Sequence, residues 1–157
     1  MKEKHKIMFM KMAYTLSECS TAERAKVGAL IVKHDRVLSI GYNGTFPGDD
    51  NECEYKIREN FNLIDHIHED VLGQYQLRTK PLVLHGEFNA ISKLARDGQS
   101  ADNASLFVTL SPCVECAKLI INVGIKNVFF SETYRDNSGI ELLRKYNVEV
   151  DCVSLTK

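Results

Sequence analysis

The 157-residue sequence lacks any apolar run that approaches the roughly 18 residues needed to cross a membrane. Its basic first six residues are followed by no apolar segment of the length that a secretion signal carries. Its five cysteines are an odd number and include a C-x-x-C pair, which predicts metal ligation in a reducing compartment instead of a disulfide framework. We therefore expect a cytoplasmic protein without a membrane partner.

The sequence also lacks an excess of positive charge. Its 20 lysines and arginines are balanced by 21 aspartates and glutamates, and the net charge is −1. A protein that binds a long nucleic acid usually carries a basic surface, because phosphate contacts dominate that affinity. We therefore expect no nucleic acid partner. Internal repeats and low-complexity segments are absent too, and the composition is that of a single globular domain over residues 1–157.

Two short motifs carry the chemistry of this sequence: H-G-E at residues 85–87 and P-C-V-E-C at residues 112–116. One imidazole and two thiolates suit a zinc ion that keeps its fourth position open for water, as catalytic zinc sites do. Glu87 is then the candidate general acid and base. Both motifs look like the first turns of helices, whose positive N-terminal ends favour thiolate over thiol.

The C-x-x-C pair has two other interpretations, a redox pair and half of a structural zinc ribbon. A structural zinc site needs a fourth protein ligand, for which Glu115 is the only local candidate. The H-x-E motif favours catalysis, because H-x-E followed by P-C-x-x-C is the pattern of zinc-dependent nucleobase deaminases.

The spacing of apolar residues predicts an α/β fold. Helices are predicted over residues 4–19, 85–95, 113–123 and 140–146, and strands over residues 27–32, 37–42, 104–110, 127–131 and 148–153. The first two strands are expected to form a hairpin, and Phe88, Ile91 and Leu94 the apolar face of the second helix. Strands that alternate with helices after a hairpin imply a mixed five-stranded sheet with helices on both faces.

The connection over residues 44–84 is unusually long for so short a chain, so we expect this insertion to cover or bind something. Within it, apolar residues at helical spacing predict a further helix over residues 53–72.

Five stretches of the sequence resemble the deoxycytidylate (dCMP) deaminases, particularly the phage-encoded ones. They are residues 26–32, 41–45, 85–91, 109–118 and 132–134, and they spread over most of the chain. The resemblance implies a cytidine-deaminase-like three-layer fold and the conversion of dCMP to dUMP and ammonia, which supplies thymidylate synthesis. Some viral relatives also accept dCTP as a substrate. If the gene is viral, the enzyme is expected in the host cytoplasm.

The resemblance also assigns roles to individual residues. His85, Cys113 and Cys116 would hold the zinc ion, and Glu87 would move protons. Asn43 would contact the sugar hydroxyl, although asparagine is also typical of a turn. The remaining substrate-binding candidates are Arg24, Lys26 and Arg135 for the phosphate, Tyr134 for the base or phosphate side, Ser111, and Gly86 through its backbone N–H. Tyr134 equally fits an ordinary half-buried tyrosine, and Gly86 stands where the family usually has alanine.

A second, structural zinc ion is implied by some phage relatives. Its candidate ligands here are Cys19 and Cys53, together with His66 or His68 from the insertion. Histidines two residues apart on a helix point in different directions, so at most one of them is expected to join. The alternative is two free cysteines and two surface histidines.

The resemblance further implies regulation by nucleotides. Family members are similar in forming hexamers that dCTP activates and dTTP inhibits, with Mg²⁺ on the phosphates of the regulator. The candidate regulatory residues here are Gly41, Tyr42, Gly44 and Asp49, with Asp50 completing an acidic pair.

Two rival functions stay open from the sequence. A tRNA adenosine deaminase shares the zinc motifs and a similar length, but the absence of a basic excess and the long insertion speak against it. A zinc-stabilised binding module without catalysis is the rival from another class.

Overall fold

The computed structural model describes residues 1–58 and 75–155, which form four helices and seven strands. The helices are α1 (Glu3–Ser17), α2 (Gly86–Arg96), α3 (Val114–Asn122) and α4 (Ser138–Lys145). The strands are β1 (Gly28–Lys33), β2 (Arg36–Tyr42), β3 (Glu54–Arg58), β4 (Tyr75–Thr79), β5 (Ser105–Leu110), β6 (Asn127–Glu132) and β7 (Glu149–Cys152). Among these residues no helix is both long and apolar enough to cross a membrane.

Five of the strands form one mixed sheet in the order β2-β1-β5-β6-β7. Strand β1 runs antiparallel to both of its neighbours, whereas β5, β6 and β7 are parallel to one another. Helix α3 joins β5 to β6, and α4 joins β6 to β7. Parallel neighbours need a long crossover connection, which is usually a helix. The predicted mixed five-stranded α/β fold is therefore confirmed.

The central strands are buried on both faces, which explains their continuous apolar runs. In β1, Ala29 and Ile31 pack with the apolar residues of α2, α3 and α4, while Leu30 and Val32 pack with Phe9 and its neighbours on α1. The result is three layers, with α1 on one face of the sheet and the other three helices on the opposite face. The motif-bearing helices α2 and α3 share one face.

The predicted hairpin of the first two strands is confirmed. Strands β1 and β2 pair from Gly28 and Tyr42 to Lys33 and Arg36. His34 and Asp35 close the turn with φ values of 51° and 56°, the left-handed conformation that two-residue hairpin loops of type I′ need.

The helix predicted over residues 53–72 is wrong at its start. Residues Glu54–Arg58 are strand β3, which pairs antiparallel with Tyr75–Thr79 in a separate two-stranded sheet. The apolar spacing was misleading because Ile57 marks no buried face: it is 42% exposed. The rest of the predicted helix lies outside the described residues.

The two ends of the insertion meet beside the motif helix. The N–H of Gly44 donates to the carbonyl of Leu84 at 3.1 Å, and the N–H of Leu84 returns a bond of 2.9 Å to Gly44. This bridge fixes where the chain leaves and re-enters the sheet, and α2 begins two residues later. The β3–β4 hairpin is thereby held next to the start of α2.

Candidate active site

The two sequence motifs meet at the N-terminal ends of two helices. His85 is the N-cap residue of α2 and Cys113 is the N-cap residue of α3, both with extended backbone conformations, and Cys116 lies in the first turn of α3. His85 Nδ1 is 3.5 Å from Cys113 Sγ and 3.4 Å from Cys116 Sγ. All three ligand atoms lie within 4.8 Å of one another.

The spacing of these atoms fits a tetrahedral zinc ion. Zinc bonds of about 2.0–2.1 Å to nitrogen and about 2.3 Å to sulfur give a nitrogen–sulfur edge of about 3.6 Å in a regular tetrahedron. The two observed nitrogen–sulfur distances, 3.5 and 3.4 Å, are close to that edge. His85 is exposed toward the pocket whereas Cys116 is buried, so the cluster is open on one side only. Three protein ligands with one open side are the arrangement of a catalytic zinc site.

The electrostatics of the cluster favour a bound cation. The hydrogen bond from the Cys116 thiol, together with the one to His85, lowers the pKa of Cys113 to about 3. The same bond to Cys113, followed by burial, raises the pKa of Cys116. The hydrogen bond to Cys113 also raises the pKa of His85. The cluster therefore carries a thiolate at neutral pH, and a metal ion that displaces the shared protons gains a second one.

Glu87 lies one residue inside α2 and is 4% exposed. It lines the same pocket as His85 and Cys113. Burial raises the pKa of its carboxyl group, because desolvation disfavours the charged form. A carboxyl group of raised pKa beside a metal cluster is suited to accept and return a proton near neutral pH.

A cavity of about 300 Å³ opens above these groups. This volume is at the lower end of the range for small-molecule sites. Its lining comes from several separate segments of the chain: Arg24, Ala25 and Val27; Asn43; Glu54 and Thr79 of the β3–β4 hairpin; Val83, His85, Gly86 and Glu87; Leu110, Ser111 and Cys113; and Thr133, Tyr134 and Arg135.

Asn43 lines the cavity and also holds one of its walls. Its Oδ1 accepts the N–H of Val27 at 2.8 Å, and its Nδ2 donates to the carbonyl of Ala25 at 2.8 Å. An amide retains a second lone pair and a second hydrogen, so these bonds leave capacity for a ligand. Asn43 is therefore an anchor of the loop over residues 25–27 and a candidate ligand contact at once, and it does not lie in a turn.

The other substrate candidates differ in their positions. Ser111 is buried, and its Oγ accepts the N–H of Tyr134 at 2.7 Å, which fixes the segment that carries Arg135. The Arg135 guanidinium lies 5.6 Å from the centre of the Tyr134 ring. Arg24 and Arg135 both line the cavity, whereas Lys26 is exposed and is not among the lining residues. The two arginines are thus the cations placed for an anionic ligand.

Two glycines, Gly41 of β2 and Gly86 of the first motif, lie where backbones pack closely at the site. A Cβ on Gly41 would overlap the carbonyl oxygen of Gly86 and lie 2.5 Å from the backbone nitrogen of Ala90, so β2 could not approach α2. A Cβ on Gly86 would lie 3.2 Å from the carbonyl oxygen of Val27, which is tight but within reach of a small adjustment. Glycine at position 86 therefore fits the packing of the site, but the packing does not strictly require a glycine there.

Candidate regulatory residues surround the start of the insertion. Tyr42 packs under the Lys93 ammonium, with 5.4 Å from the nitrogen to the ring centre. Asp49 is exposed and accepts the N–H of Asp50, whose own carboxylate lies 3.3 Å from Lys80 Nζ. Both carboxylates of the acidic pair thus already have a partner within the protein.

The candidate ligands of a second zinc ion lie apart from the motif cluster. Cys19 is exposed, while Cys53 is buried with its Sγ 3.5 Å from Thr21 Oγ1. His66 and His68 lie outside the described residues. Across residues 1–58 and 75–155, the one group of three or more residues positioned to hold a metal ion is the motif cluster.

Comparison with known proteins agrees with this geometry. The family model of the cytidine and deoxycytidylate deaminase zinc-binding region matches residues 3–132. The chain belongs to this deaminase family. Its relatives include the deoxycytidylate deaminase of Enterobacteria phage T4, 33% identical over 165 residues that cover 90% of this chain and 86% of the relative. The human deoxycytidylate deaminase is 36% identical over 137 residues, covering 82% of this chain and 66% of the relative.

A solved structure of the deaminase family matches almost the whole chain. The dCMP deaminase of cyanophage S-TIM5, in complex with dCMP and dUMP, superimposes with a TM-score of 0.81 at 38% identity. The match covers 97% of this chain and 98% of the cyanophage chain. The family resemblance predicted from the motifs is therefore confirmed, and the match covers almost the whole chain.

Sequence reasoning missed several lining residues. Glu54, Thr79 and Val83 come from the insertion, whereas Leu110 and Thr133 lie within two of the matching stretches, 109–118 and 132–134, but were given no role there. The unusual length of the insertion did indicate that it covers something, but no motif marked which of its residues reach the cavity.

Proposed function

We propose that this protein deaminates a free pyrimidine deoxynucleotide, converting dCMP and water to dUMP and ammonia. The observation that carries the proposal is a buried proton carrier, Glu87, in one cavity with a three-ligand zinc cluster and two arginines. The names of the phage and human relatives and of the cyanophage structure support the substrate. The product would feed thymidylate synthesis.

His85, Cys113 and Cys116 are the residues that would hold the zinc ion. The chemistry that zinc supplies when bound is a hydroxide nucleophile at neutral pH. Glu87 takes the proton that the attacking water loses and delivers it to N3 of the cytosine ring. It then takes the remaining proton from the hydroxyl group added to C4 and delivers it to the amino group, so that the amino group leaves as ammonia while the C4 carbonyl of uracil forms. The burial of Glu87 suits both directions of transfer, because desolvation raises the pKa of the carboxyl group and makes its protonated form easier to reach.

The cavity walls are expected to recognise the rest of the nucleotide. Asn43 has spare hydrogen-bonding capacity for the sugar hydroxyl, and Arg24 and Arg135 supply positive charge for the phosphate. The backbone N–H of Gly86, in the first turn of α2, is the proposed partner of the pyrimidine carbonyl. The bond from Tyr134 N–H to Ser111 holds the wall that carries Arg135.

We further propose that the enzyme is a cytoplasmic hexamer, of the host cell if the gene is viral, activated by dCTP and inhibited by dTTP. The regulator would bind near residues 41–51 with Mg²⁺ on its phosphates, and the exposed side chain of Asp49 supports a metal-bridged contact there. Equal rates across added dCTP and dTTP would contradict this regulation. A second zinc ion on Cys19 and Cys53 is proposed as well, and metal analysis tests it.

The experiment that tests the main proposal follows the loss of cytosine absorbance on zinc-loaded protein. It compares dCMP, dCTP, CMP and deoxycytidine, each with and without dCTP plus Mg²⁺. We expect turnover of dCMP, and turnover of dCTP would make the enzyme bifunctional. A panel without turnover, together with inosine formation in an anticodon stem-loop, would replace the proposal by adenosine deamination of tRNA. A protein that binds zinc and converts no substrate would be the non-catalytic module.

A further inference from the structure

The β3–β4 hairpin sends a buried carboxylate to the cavity wall. Glu54, the first residue of β3, is 9% exposed and lines the cavity. Its Oε2 accepts the backbone N–H of Glu23 at 3.1 Å, and its Oε1 accepts the backbone N–H of Arg24 at 3.3 Å. Both oxygens of one side chain are thus used to hold two successive residues of a neighbouring loop.

The same hairpin also holds the Arg24 side chain. Arg24 Nη1 donates to Thr79 Oγ1 at 3.4 Å, and Thr79 is the cross-strand partner of Glu54. The cross-strand pair of Glu54 and Thr79 therefore contacts Arg24 twice, at its backbone and at its guanidinium. Arg24 is otherwise exposed, and an exposed arginine loses several rotatable bonds of freedom when it binds a ligand.

Three further hydrogen bonds secure the loop on either side of Arg24. Ser20 Oγ donates to the carbonyl of Asn43 at 2.8 Å, and the Asn43 amide in turn binds the backbone of Ala25 and Val27. The only side chain of the described residues that is seen to bind the N–H groups of residues 23 and 24 is that of Glu54. The part of the loop that carries the guanidinium depends on the insertion, and so does Ala22 before it, which packs with Cys53 and Val83. The part after Arg24 is held by Asn43, which follows β2 of the main sheet.

We propose that Glu54 is a positioning residue, which sets Arg24 at the cavity mouth to bind the phosphate of the nucleotide. The inference rests on the proposed function, because it takes the ligand to be a nucleoside monophosphate. A preorganised cation raises affinity by reducing the entropy lost on binding. It acts on the phosphate, remote from the reacting ring, and so is expected to change KM more than kcat.

The test uses Glu54→Gln in the full-length, zinc-loaded protein. Glutamine keeps the volume of the side chain but turns one oxygen into an NH₂ group, which faces a backbone N–H and repels it. We expect KM for dCMP and the dissociation constant of dUMP to rise about tenfold, as loss of a charge-assisted bond does, while kcat falls by less than about threefold. Glu52→Gln is the matched control, since Glu52 is two residues away and faces Lys80 instead. It should leave KM within about twofold of the unchanged protein.

A double variant separates positioning from a general structural role. If Glu54 acts through Arg24, adding Glu54→Gln to Arg24→Ala should raise KM by less than about twofold more, because the guanidinium is already gone. An unchanged KM with a lower melting temperature, or full additivity with Arg24→Ala, would overturn the inference and leave Glu54 a structural residue. Wild-type protein that fails to convert dCMP would instead overturn the proposed function, and the Glu54 inference with it.

Discussion

Replacing Glu87 by glutamine removes the proposed proton carrier while it keeps the shape of the side chain. The residue is 4% exposed, so solvent water is poorly placed to take over its part. General acid–base catalysis by one positioned group contributes about 10²–10⁴-fold. Glu87 is proposed to serve the ring nitrogen and then the leaving amine, so we expect the upper end of that range, a loss of about 10⁴-fold in kcat, or about 5.5 kcal/mol.

The chain offers a closely matched control in Glu115→Gln. Glu115 stands one residue inside α3, as Glu87 stands one residue inside α2, so both substitutions remove the same negative charge from a helix start. The Glu115 side chain is 78% exposed and pairs with Lys118 at 2.6 Å, on the outside of the site. An exposed pair of this kind is worth about 0–1 kcal/mol. We therefore expect its kcat to stay within about threefold of wild type.

The assay combines the rate of cytosine absorbance loss with the zinc content of each purified variant. The reasoning predicts that Glu87→Gln keeps its zinc, since the carboxylate is not one of the three clustered ligands. A Glu87→Gln protein that retains more than a tenth of the wild-type rate would refute the proton-carrier assignment. A variant that loses its zinc would show that Glu87 supports the metal site instead.

Three further predictions test packing, charge and metal content. Gly41→Ala should lower the free energy of unfolding by about 1–3 kcal/mol, because its Cβ would meet α2. Gly44→Ala is the control, since nothing lies within 4 Å of its Cβ, and it should change the free energy of unfolding by less than about 0.5 kcal/mol. Thermal melts measure both. Arg135→Ala should raise KM for dCMP about tenfold and Lys26→Ala less than about twofold, since Arg135 lines the cavity and Lys26 does not. Equal effects on KM would contradict the cavity assignment. Metal analysis should find two zinc ions per wild-type chain and one in Cys53→Ser, with turnover abolished when a chelator removes the ion held by His85, Cys113 and Cys116; one ion in each protein would disprove the second site.

Sequence patterns predicted the sheet well because burial on both faces leaves a continuous apolar run, as in β1, that few other structures require. They failed in the insertion, where β3 buries little of its apolar side chains and is held by backbone pairing with a strand 17 residues further on. Backbone pairing between strands so far apart in the chain produces no periodic pattern of apolar residues in the sequence. The prediction that Phe88 belongs to the buried apolar face of α2 was also wrong. Its helical spacing suits that face, yet its side chain is 45% exposed.

The metal cluster could be read from the sequence because residue type and spacing restrict it strongly. His85 and Glu87 lie in one turn, Cys113 and Cys116 in another, and few functions need such a set. The polar walls of the cavity could not be read in this way. Asparagine is common in turns, so the sequence left open whether Asn43 is a turn residue or a ligand contact, and the structure shows an anchor of the loop with capacity to spare.

The sequence by itself thus determined the reactive groups, because metal ligation and proton transfer demand particular side chains within one helical turn. Only the tertiary structure decided which charges face the ligand: it brought Arg24, Glu54 and Arg135 to one cavity and left Lys26 outside it. These residues come from separate loops whose approach depends on the sheet order and on the β3–β4 hairpin. Contacts of that kind are made between elements distant in the chain, and no local pattern records them.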